Sequence, residues 1–266
     1  MKSKASKNLS SKKLIVFDID GTLTPSKAPA DQEMIRLLLQ LLKEKVVAVI
    51  GGGKYTLFQE QLISRMPKRD ARLERLFLFP TSSTTFYRFS RGRWQCVYEH
   101  VLSVSEKKKI KQAFKDTFRR LHYVPPEKVY GPTIEDRKTQ ISFSPLGQEI
   151  VAVLGKKGIA AKEAWYEKHN KLRARMARAL GRLLPEFKVR VGGLTTIDVT
   201  KKGIDKAYGI RTIRRELSIP IRDMLFVGDA IFPGGNDYAV VKTGVDYVKV
   251  KGPEDTKKVI RFLLKR

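Results

Sequence analysis

Leu14–Asp18 reads LIVFD, an unbroken apolar run closed by a carboxylate, and Ile19-Asp20-Gly21-Thr22-Leu23-Thr24 follows at once. A strand with no polar position cannot present either face to water, so it predicts a central strand of a parallel sheet covered on both sides. The carboxyl ends of such strands are where α/β sheets place their chemistry. Asp and Gly also end strands as ordinary turn residues. Two carboxylates two residues apart, directly after VF and before GTLT, are far more specific than a turn.

The flanking pattern agrees with an α/β fold. Ala30 to Lys45 predicts a helix with Asp31 as N-cap and Leu37, Leu38, Leu41 and Leu42 facing inward. VVAVI is a second buried strand, a helix starts near Tyr55, and LFLF is a third strand, a β-α-β-α-β order that implies a doubly wound sheet. The middle of the chain changes character. WQCVYEHVL, a Lys-rich helix, a hairpin around TIEDRKTQISFSP, a long helix from Ala160 to Leu184, KVRVGG and TTIDVT follow in turn. Strands here alternate apolar and polar residues, which predicts an antiparallel sheet with one open face. After Lys202 the α/β pattern returns through KAYGIRTIRREL, MLFVGD, VDYVKV and a helix from Pro253. The expected division is a basic tail over 1–12, a core over 13–90 and 201–266, and an inserted domain over 91–200.

Composition narrows the function classes. Cys96 is the single cysteine among 266 residues, which excludes an intrachain disulfide and a cysteine-rich zinc site. No apolar run approaches the ~20 residues of a membrane span. The N-terminus does not read as a secretory signal, so a cytoplasmic protein is expected. Lys and Arg number 54 against 27 acids, a formal charge of +27. The basic residues run along the whole chain without a nucleic-acid motif, so the charge favours an anionic substrate over a nucleic-acid partner. His100, His122 and His169 lie outside every motif, and Trp94 and Trp165 are expected to pack the inserted domain, with lining of the cleft beside Lys162 the alternative for Trp165.

Three further segments carry chemistry. Gly228-Asp229 ends the strand MLFV and is followed by Phe232-Pro-Gly-Gly-Asn236-Asp237. An acid there can complete an oxygen-ligand site for Mg²⁺ with Asp18 and the Asp20 carbonyl. Lys206 stands at a helix start in KGIDKAYGI. Gly51-Gly52-Gly53 follows VVAVI and precedes a helix, an arrangement whose backbone N–H groups can nest an anion.

DIDGTLT resembles the DxDGT motif of the haloacid-dehalogenase (HAD) superfamily, and the remaining motifs occur in that family's order. The resemblance implies a Rossmann-like HAD core with an inserted α/β cap of type C2b, and a magnesium-dependent phosphoryl-transfer enzyme. It makes Asp18 the nucleophile that forms an aspartyl-phosphate, Asp20 the general acid/base, and Lys206 the lysine shielding the transferring group. It assigns the metal to Asp18, Asp20 and Asp229, and the phosphate to Gly52 and Gly53. A serine or threonine hydroxyl is usual where Gly53 stands, so backbone amides, with Thr56 nearby, must serve here. An acid at Asp20 points to phosphomonoester or mutase chemistry, because an alcohol leaving group needs a proton.

The spacing GDAIFPGGND is similar to the GDxxxPGGND of eukaryotic-type phosphomannomutases, and DGTLTPSK, TIEDRKTQISFSPLG, VGGLTTIDV, KGIDK and GPEDT have counterparts there. That resemblance implies that Arg137, Thr196 and Asp198 hold a sugar's distal phosphate, with Gln148 and Lys162 at positions where arginines are expected. Lys27 replaces a further arginine. Lys and Gln cannot reproduce the bidentate guanidinium fork. Hydrolysis of a sugar phosphate is therefore the first expectation and mannose-phosphate mutase activity the alternative. A homodimer through the cap is also expected.

Overall fold

A computed structural model describes residues 9–265; the first eight residues of the expected basic tail lie outside the described residues. The chain forms two compact units, one of the residues up to Glu99 with those from Asp205 onward, the other His100–Ile204.

In the first unit the elements run β1 (Leu14–Asp18), α1 (Gln32–Glu44), β2 (Val46–Ile50), α2 (Tyr55–Gln61), β3 (Leu76–Phe79), a four-residue turn α3 (Pro80–Ser83), β4 (Thr85–Ser90) and β5 (Arg93–Glu99). The second unit contributes α4 (Val104–Arg120), β6 (Ile134–Asp136), β7 (Gln140–Phe143), α5 (Ile150–Leu154), α6 (Lys156–Leu183), β8 (Phe187–Gly192) and β9 (Thr196–Lys201). The first resumes with α7 (Lys206–Leu217), β10 (Met224–Gly228), β11 (Asp246–Lys249) and α8 (Pro253–Leu264).

The larger sheet has the order β11-β10-β1-β2-β3-β4-β5, and its first five strands are parallel. β1 is central, with Leu14 in register with both Met224 and Val46. Its side chains alternate between two cores. Ile15 and Phe17 pack with Leu38 and Leu41 of α1 and Ile260 and Leu263 of α8. Leu14 and Val16 pack with Ile210 and Ile213 of α7. The unbroken apolar run is thus explained by helices on both faces. Asp31 caps α1 as expected, its carboxylate accepting from the Met34 amide at 2.8 Å.

Three expectations are corrected. Arg93–Glu99 does not join the inserted domain: it pairs antiparallel with β4 at the edge of the larger sheet, and Trp94 packs edge-on against Phe89, 5.5 Å away. Residues 10–12 are built into the core rather than forming a tail. Lys12 is buried and bonds Asp246 and the Arg222 carbonyl, while Lys45 bonds the Ser10 and Lys12 carbonyls. The inserted sheet, order β6-β7-β9-β8, is antiparallel and carries α4 and α6 over one apolar core. Its other face is polar as expected but not open, because Gln140, Ser142, Asp198 and Thr200 are all buried. Among the described residues no helix is long and apolar enough to cross a membrane.

Gly209 of α7 marks a close approach within the first unit: a Cβ there would lie 2.4 Å from Ser83 Oγ and 2.8 Å from Ile50 Cδ1. Gly209→Ala should therefore destabilise the fold by roughly 2 kcal/mol through overpacking. Chemical denaturation of Gly209→Ala and of Ser83→Ala/Gly209→Ala checks this, with part of the loss expected back in the double variant.

Candidate active site

β1 ends at Asp18, and the chain turns immediately, with the Leu23 and Thr24 amides both donating to the Ile19 carbonyl at 3.0 Å. Gly21 permits this turn twice over. It adopts φ 79°, and a Cβ there would fall 2.6 Å from Asp229 Oδ2. Asp18 and Asp20 leave the turn in different surroundings. Asp20 Oδ1 accepts from the Lys27 amide at 2.5 Å and from Gln61 Nε2 at 2.9 Å. Lys27, the residue standing where an arginine is expected, so meets Asp20 through its backbone, at φ 55°. Asp18 is only 2% exposed, and its Oδ2 has no hydrogen-bond partner.

Lys206 opens α7, whose N-cap Asp205 accepts from the Tyr208 amide at 3.0 Å. Its buried ammonium bonds Asp18 Oδ1 and Asp237 Oδ1 together. Asp229 follows the last residue of β10, and Asp237 returns beside it at the end of the loop. The Ala230 amide donates to Asp237 Oδ2 at 3.1 Å, and Gly228 has no room for a Cβ, which would sit 2.4 Å from that same oxygen. Asp18, Asp229 and Asp237 thereby offer ligand atoms within 4.8 Å of one another.

Three carboxylates against one ammonium leave the cluster short of positive charge. Burial pushes the Asp18 carboxyl well above the usual range, Lys206 opposes this, and Asp237 and Asp229 add to it. Burial, then Asp237, raises Asp229 to about 6. Burial works against the Lys206 ammonium, but the Asp18 and Asp237 carboxylates outweigh it and its pKa lies above the ordinary value. An all-oxygen donor set with one bare buried carboxylate oxygen fits a hard divalent cation. Asp237 adds a third carboxylate to the expected Asp18 and Asp229, while the Asp20 side chain, expected to contribute only its backbone carbonyl, is engaged by Lys27 and Gln61. The signal for Asp237 was present in GDAIFPGGND, but nothing in the spacing says that the loop closes back on the strand end.

Gly51–Gly53 lie between β2 and α2, and their carbonyls are held from behind. The Ser82 amide donates to Gly51 O at 2.7 Å and the Thr81 amide to Gly53 O at 2.8 Å. These donors come from α3, where Thr81, Ser82 and Ser83 have φ of 48°, 56° and 74°. Three consecutive left-handed residues with side chains are costly, and this turn spends that strain on fixing the glycine loop.

In the inserted unit three of the five expected substrate residues, Arg137, Gln148 and Asp198, are linked through Ser142 in a bonded chain. Arg137 Nε donates to Glu135 at 2.7 Å, and its Nη2 donates to the Gln148 side-chain carbonyl at 3.0 Å. Gln148 Nε2 in turn donates to Ser142 O at 3.3 Å, and Ser142 Oγ donates to Asp198 at 2.6 Å. Gln148 is thus an orienter of Arg137. The Thr196 hydroxyl donates to Gly192 O at 2.5 Å, and Lys162 is buried on α6. Arg173 of α6 went unread in the sequence: it is buried and donates to the Gly193 and Leu194 carbonyls at 2.8 and 2.7 Å, tying α6 to the β8–β9 turn. Trp165 is buried on the same helix, its ring 5.1 Å from that of His169.

The acidic cluster links stability to pH. A carboxylate raised from its unfolded value of about 4 to about 6 favours the fold while protonated, and that contribution is lost as pH rises through about 6. Metal-free protein should therefore melt lower at pH 7.5 than at pH 5.5, and Asp229→Asn should flatten this dependence. Mg²⁺ at pH 7.5 should raise the wild-type melting temperature by several degrees and leave Asp229→Asn nearly unmoved; calorimetry at the two pH values checks both.

Known proteins resemble this chain in sequence and in fold. The family model described as eukaryotic phosphomannomutase matches residues 34–266. A phosphomannomutase of Encephalitozoon cuniculi is 27% identical over 96% of this chain and 94% of its own length. One of Saccharomyces cerevisiae is 27% identical over 94% and 93%. Among solved structures, an IMP-bound IMP-nucleotidase of Plasmodium falciparum superposes with a TM-score of 0.69 at 15% identity, covering 96% of this chain and 69% of that one. A trehalose-6-phosphate phosphatase of Aspergillus fumigatus gives 0.55 at 17% identity, with 96% and 93% covered. With its doubly wound core, its inserted α/β unit and a family match across most of its length, the chain belongs to the eukaryotic phosphomannomutase family of the HAD superfamily.

Proposed function

We propose that this chain is a phosphohexomutase interconverting the 1- and 6-phosphates of mannose or a closely similar hexose. The observation that carries the reading is the separation of two carboxylates on one turn. Asp18 is buried with one oxygen on Lys206 and the other bare, whereas Asp20 is held apart by Lys27 and Gln61. Groups so placed suit different roles, a nucleophile and a proton carrier.

Asp18 attacks phosphorus, the bond to the sugar oxygen breaks, and Asp20 gives that oxygen its proton. In the second half-reaction Asp20 removes a proton from a sugar hydroxyl, which takes the phosphoryl group from Asp18. Lys206 bears on the Asp18 carboxylate throughout and holds Asp237 beside it. A divalent cation, with Mg²⁺ the natural choice, would be held by Asp18, Asp229 and Asp237 together with the Asp20 carbonyl. Bound there, it supplies the charge that offsets repulsion between the Asp18 carboxylate and a phosphate. The amides of Gly52 and Gly53 suit the transferring phosphate, because the carbonyl sides of Gly51 and Gly53 are already occupied by Thr81 and Ser82.

A second reading, hydrolysis of a sugar phosphate, is favoured by Gln148. A mutase must hold a bisphosphate at both ends, and Gln148 provides an amide where a cation is expected. Membership of the phosphomannomutase family outweighs this, and reverses the order expected from sequence. Lys162 and Arg137 then supply the cations, with Arg137 aimed by Glu135 and Gln148.

A hexose-bisphosphate-primed assay on mannose phosphates, run beside inorganic phosphate release, separates the readings. Interconversion should exceed release at least tenfold, and release exceeding interconversion would make hydrolysis the activity. Asp18→Asn should reduce either activity at least a thousandfold while circular dichroism stays native, since an amide neither attacks phosphorus nor carries the charge.

Gln148→Arg tests the orienting contact. It replaces the amide carbonyl that accepts from Arg137 with a second guanidinium, so the free protein should lose about 1 kcal/mol and regain it with inorganic phosphate present. Thermal melts with and without phosphate check this.

A further inference from the structure

The long helix α6 buries Gly158, Lys162, Trp165, Arg173, Met176 and Leu180 along one face. Roughly opposite, Lys168, Lys171, Arg175, Arg178 and Arg182 recur at intervals of three and four residues, and all five are exposed. Such spacing aligns side chains on one face of a helix. The line continues toward the N-terminus through exposed Ala164, Ala160 and Lys157, with no acid on it. None of the five enters an ion pair among the described residues, although surface cations nearby do, such as Lys109 with Glu186 and Lys201 with Glu106.

A second, shorter row stands on α4, where exposed Lys108, Lys111 and Lys115 also lack a carboxylate partner among the described residues. Both helices send their opposite faces, Ile110 and Phe114 from one and Met176 and Leu180 from the other, into the same core over the inserted sheet. Both basic rows therefore face away from that sheet. They are separate from the Arg137–Gln148–Ser142–Asp198 chain, whose Ser142 and Asp198 lie on the strands between the residues that enter this core.

We propose that the outer helical face of the inserted unit binds the phosphodiester backbone of RNA without reading its sequence. From Lys168 to Arg182 the stripe is about 21 Å long at the usual helical rise, a length over which one strand of a stacked nucleic acid presents about six phosphates. Linear charge matches linear charge. Arginine contributes three of the five positions, and its planar fork suits phosphate oxygens. A lipid surface fits less well, because the apolar side of α6 is committed to the protein core and the stripe carries no aromatic to anchor at an interface. A second copy of the chain is disfavoured by like charge, since a two-fold contact would lay one cationic row against another. The stripe is not visible in composition, because the same helix carries Glu163 and Glu167; it emerges only when the phase of the helix is known.

The test is fluorescence anisotropy of a labelled 20-nucleotide oligo(U) RNA with the full chain, from 50 to 200 mM KCl. Micromolar binding at 50 mM is expected, with log K falling against log salt at a slope near −3.5 for about five contacts. Lys171→Glu/Arg175→Glu/Arg178→Glu should weaken binding at least tenfold and flatten the slope by about 2. The milder Lys171→Gln/Arg175→Gln/Arg178→Gln should weaken it less, and both variants should keep wild-type melting temperature and phosphoryl-transfer activity. A control reversal of three exposed cations in the first unit, Arg65→Glu/Lys68→Glu/Arg69→Glu, should change affinity less than threefold. The proposal is overturned by absence of binding at 50 mM, by equal losses in the stripe and control variants, or by phosphatidylserine vesicles being bound while RNA is not.

Discussion

One buried ammonium organises the acidic cluster at the carboxyl end of the parallel strands. Lys206 reaches Asp18 at the end of β1 and Asp237 at the far end of the loop after β10, and so ties the three chain segments of the site into one electrostatic unit. It neutralises one carboxylate of three. A buried pair in isolation is weak evidence for stability, and here the residual negative charge is better understood as binding capacity. Raised carboxyl pKa values at Asp18 and Asp229 measure how poorly the folded chain tolerates those charges without a cation.

The glycine loop illustrates how cost is placed where it serves. Gly51 is packed so that a Cβ would lie 2.4 Å from Ile19 Cγ2, and Gly53 so that one would lie 2.6 Å from Leu57 Cδ2. A side chain is shut out at Gly51, whereas one at Gly53 would have only to displace the end of Leu57, and backbone is what an anion nest needs. The left-handed run Thr81–Ser83 then supplies the amides that occupy the loop's carbonyls. Strain in one turn and close packing in the other describe a single object, a loop prevented from relaxing.

Legibility in the sequence followed the range of the interaction. β1, α1 with its Asp31 cap, and the reappearance of α/β pattern after Lys202 are local periodicities, and they stand where the residues place them. Arg93–Glu99 was misassigned because an edge strand with mixed exposure looks the same in either sheet, and its partner β4 is chosen by a tight turn rather than by its own pattern. Lys12 reads as one more tail cation, and only the distant Asp246 makes it a buried one. Asp237 and the Arg137–Gln148 contact escaped for a related reason. A motif gives residue identities, but which oxygen faces which nitrogen depends on loop closure that spacing does not encode.

The position of Lys206 also has a consequence for how the molecule is assembled. Asp18 and its lysine are separated by 188 positions in the chain, and β1 is flanked by β2 on one side and by β10 on the other. A nascent chain emerging N-terminus first can pair β1 with β2 early, but the second neighbour of that strand and the charge partner of Asp18 come only after the whole inserted unit has been made. Pairings of such sequence separation form slowly. Until then the flank of β1 that β10 will cover is an unpaired strand edge. Asp18 is thus made well before Lys206 and Asp237, and acquires its charged surroundings only once the chain beyond the inserted unit has joined the sheet.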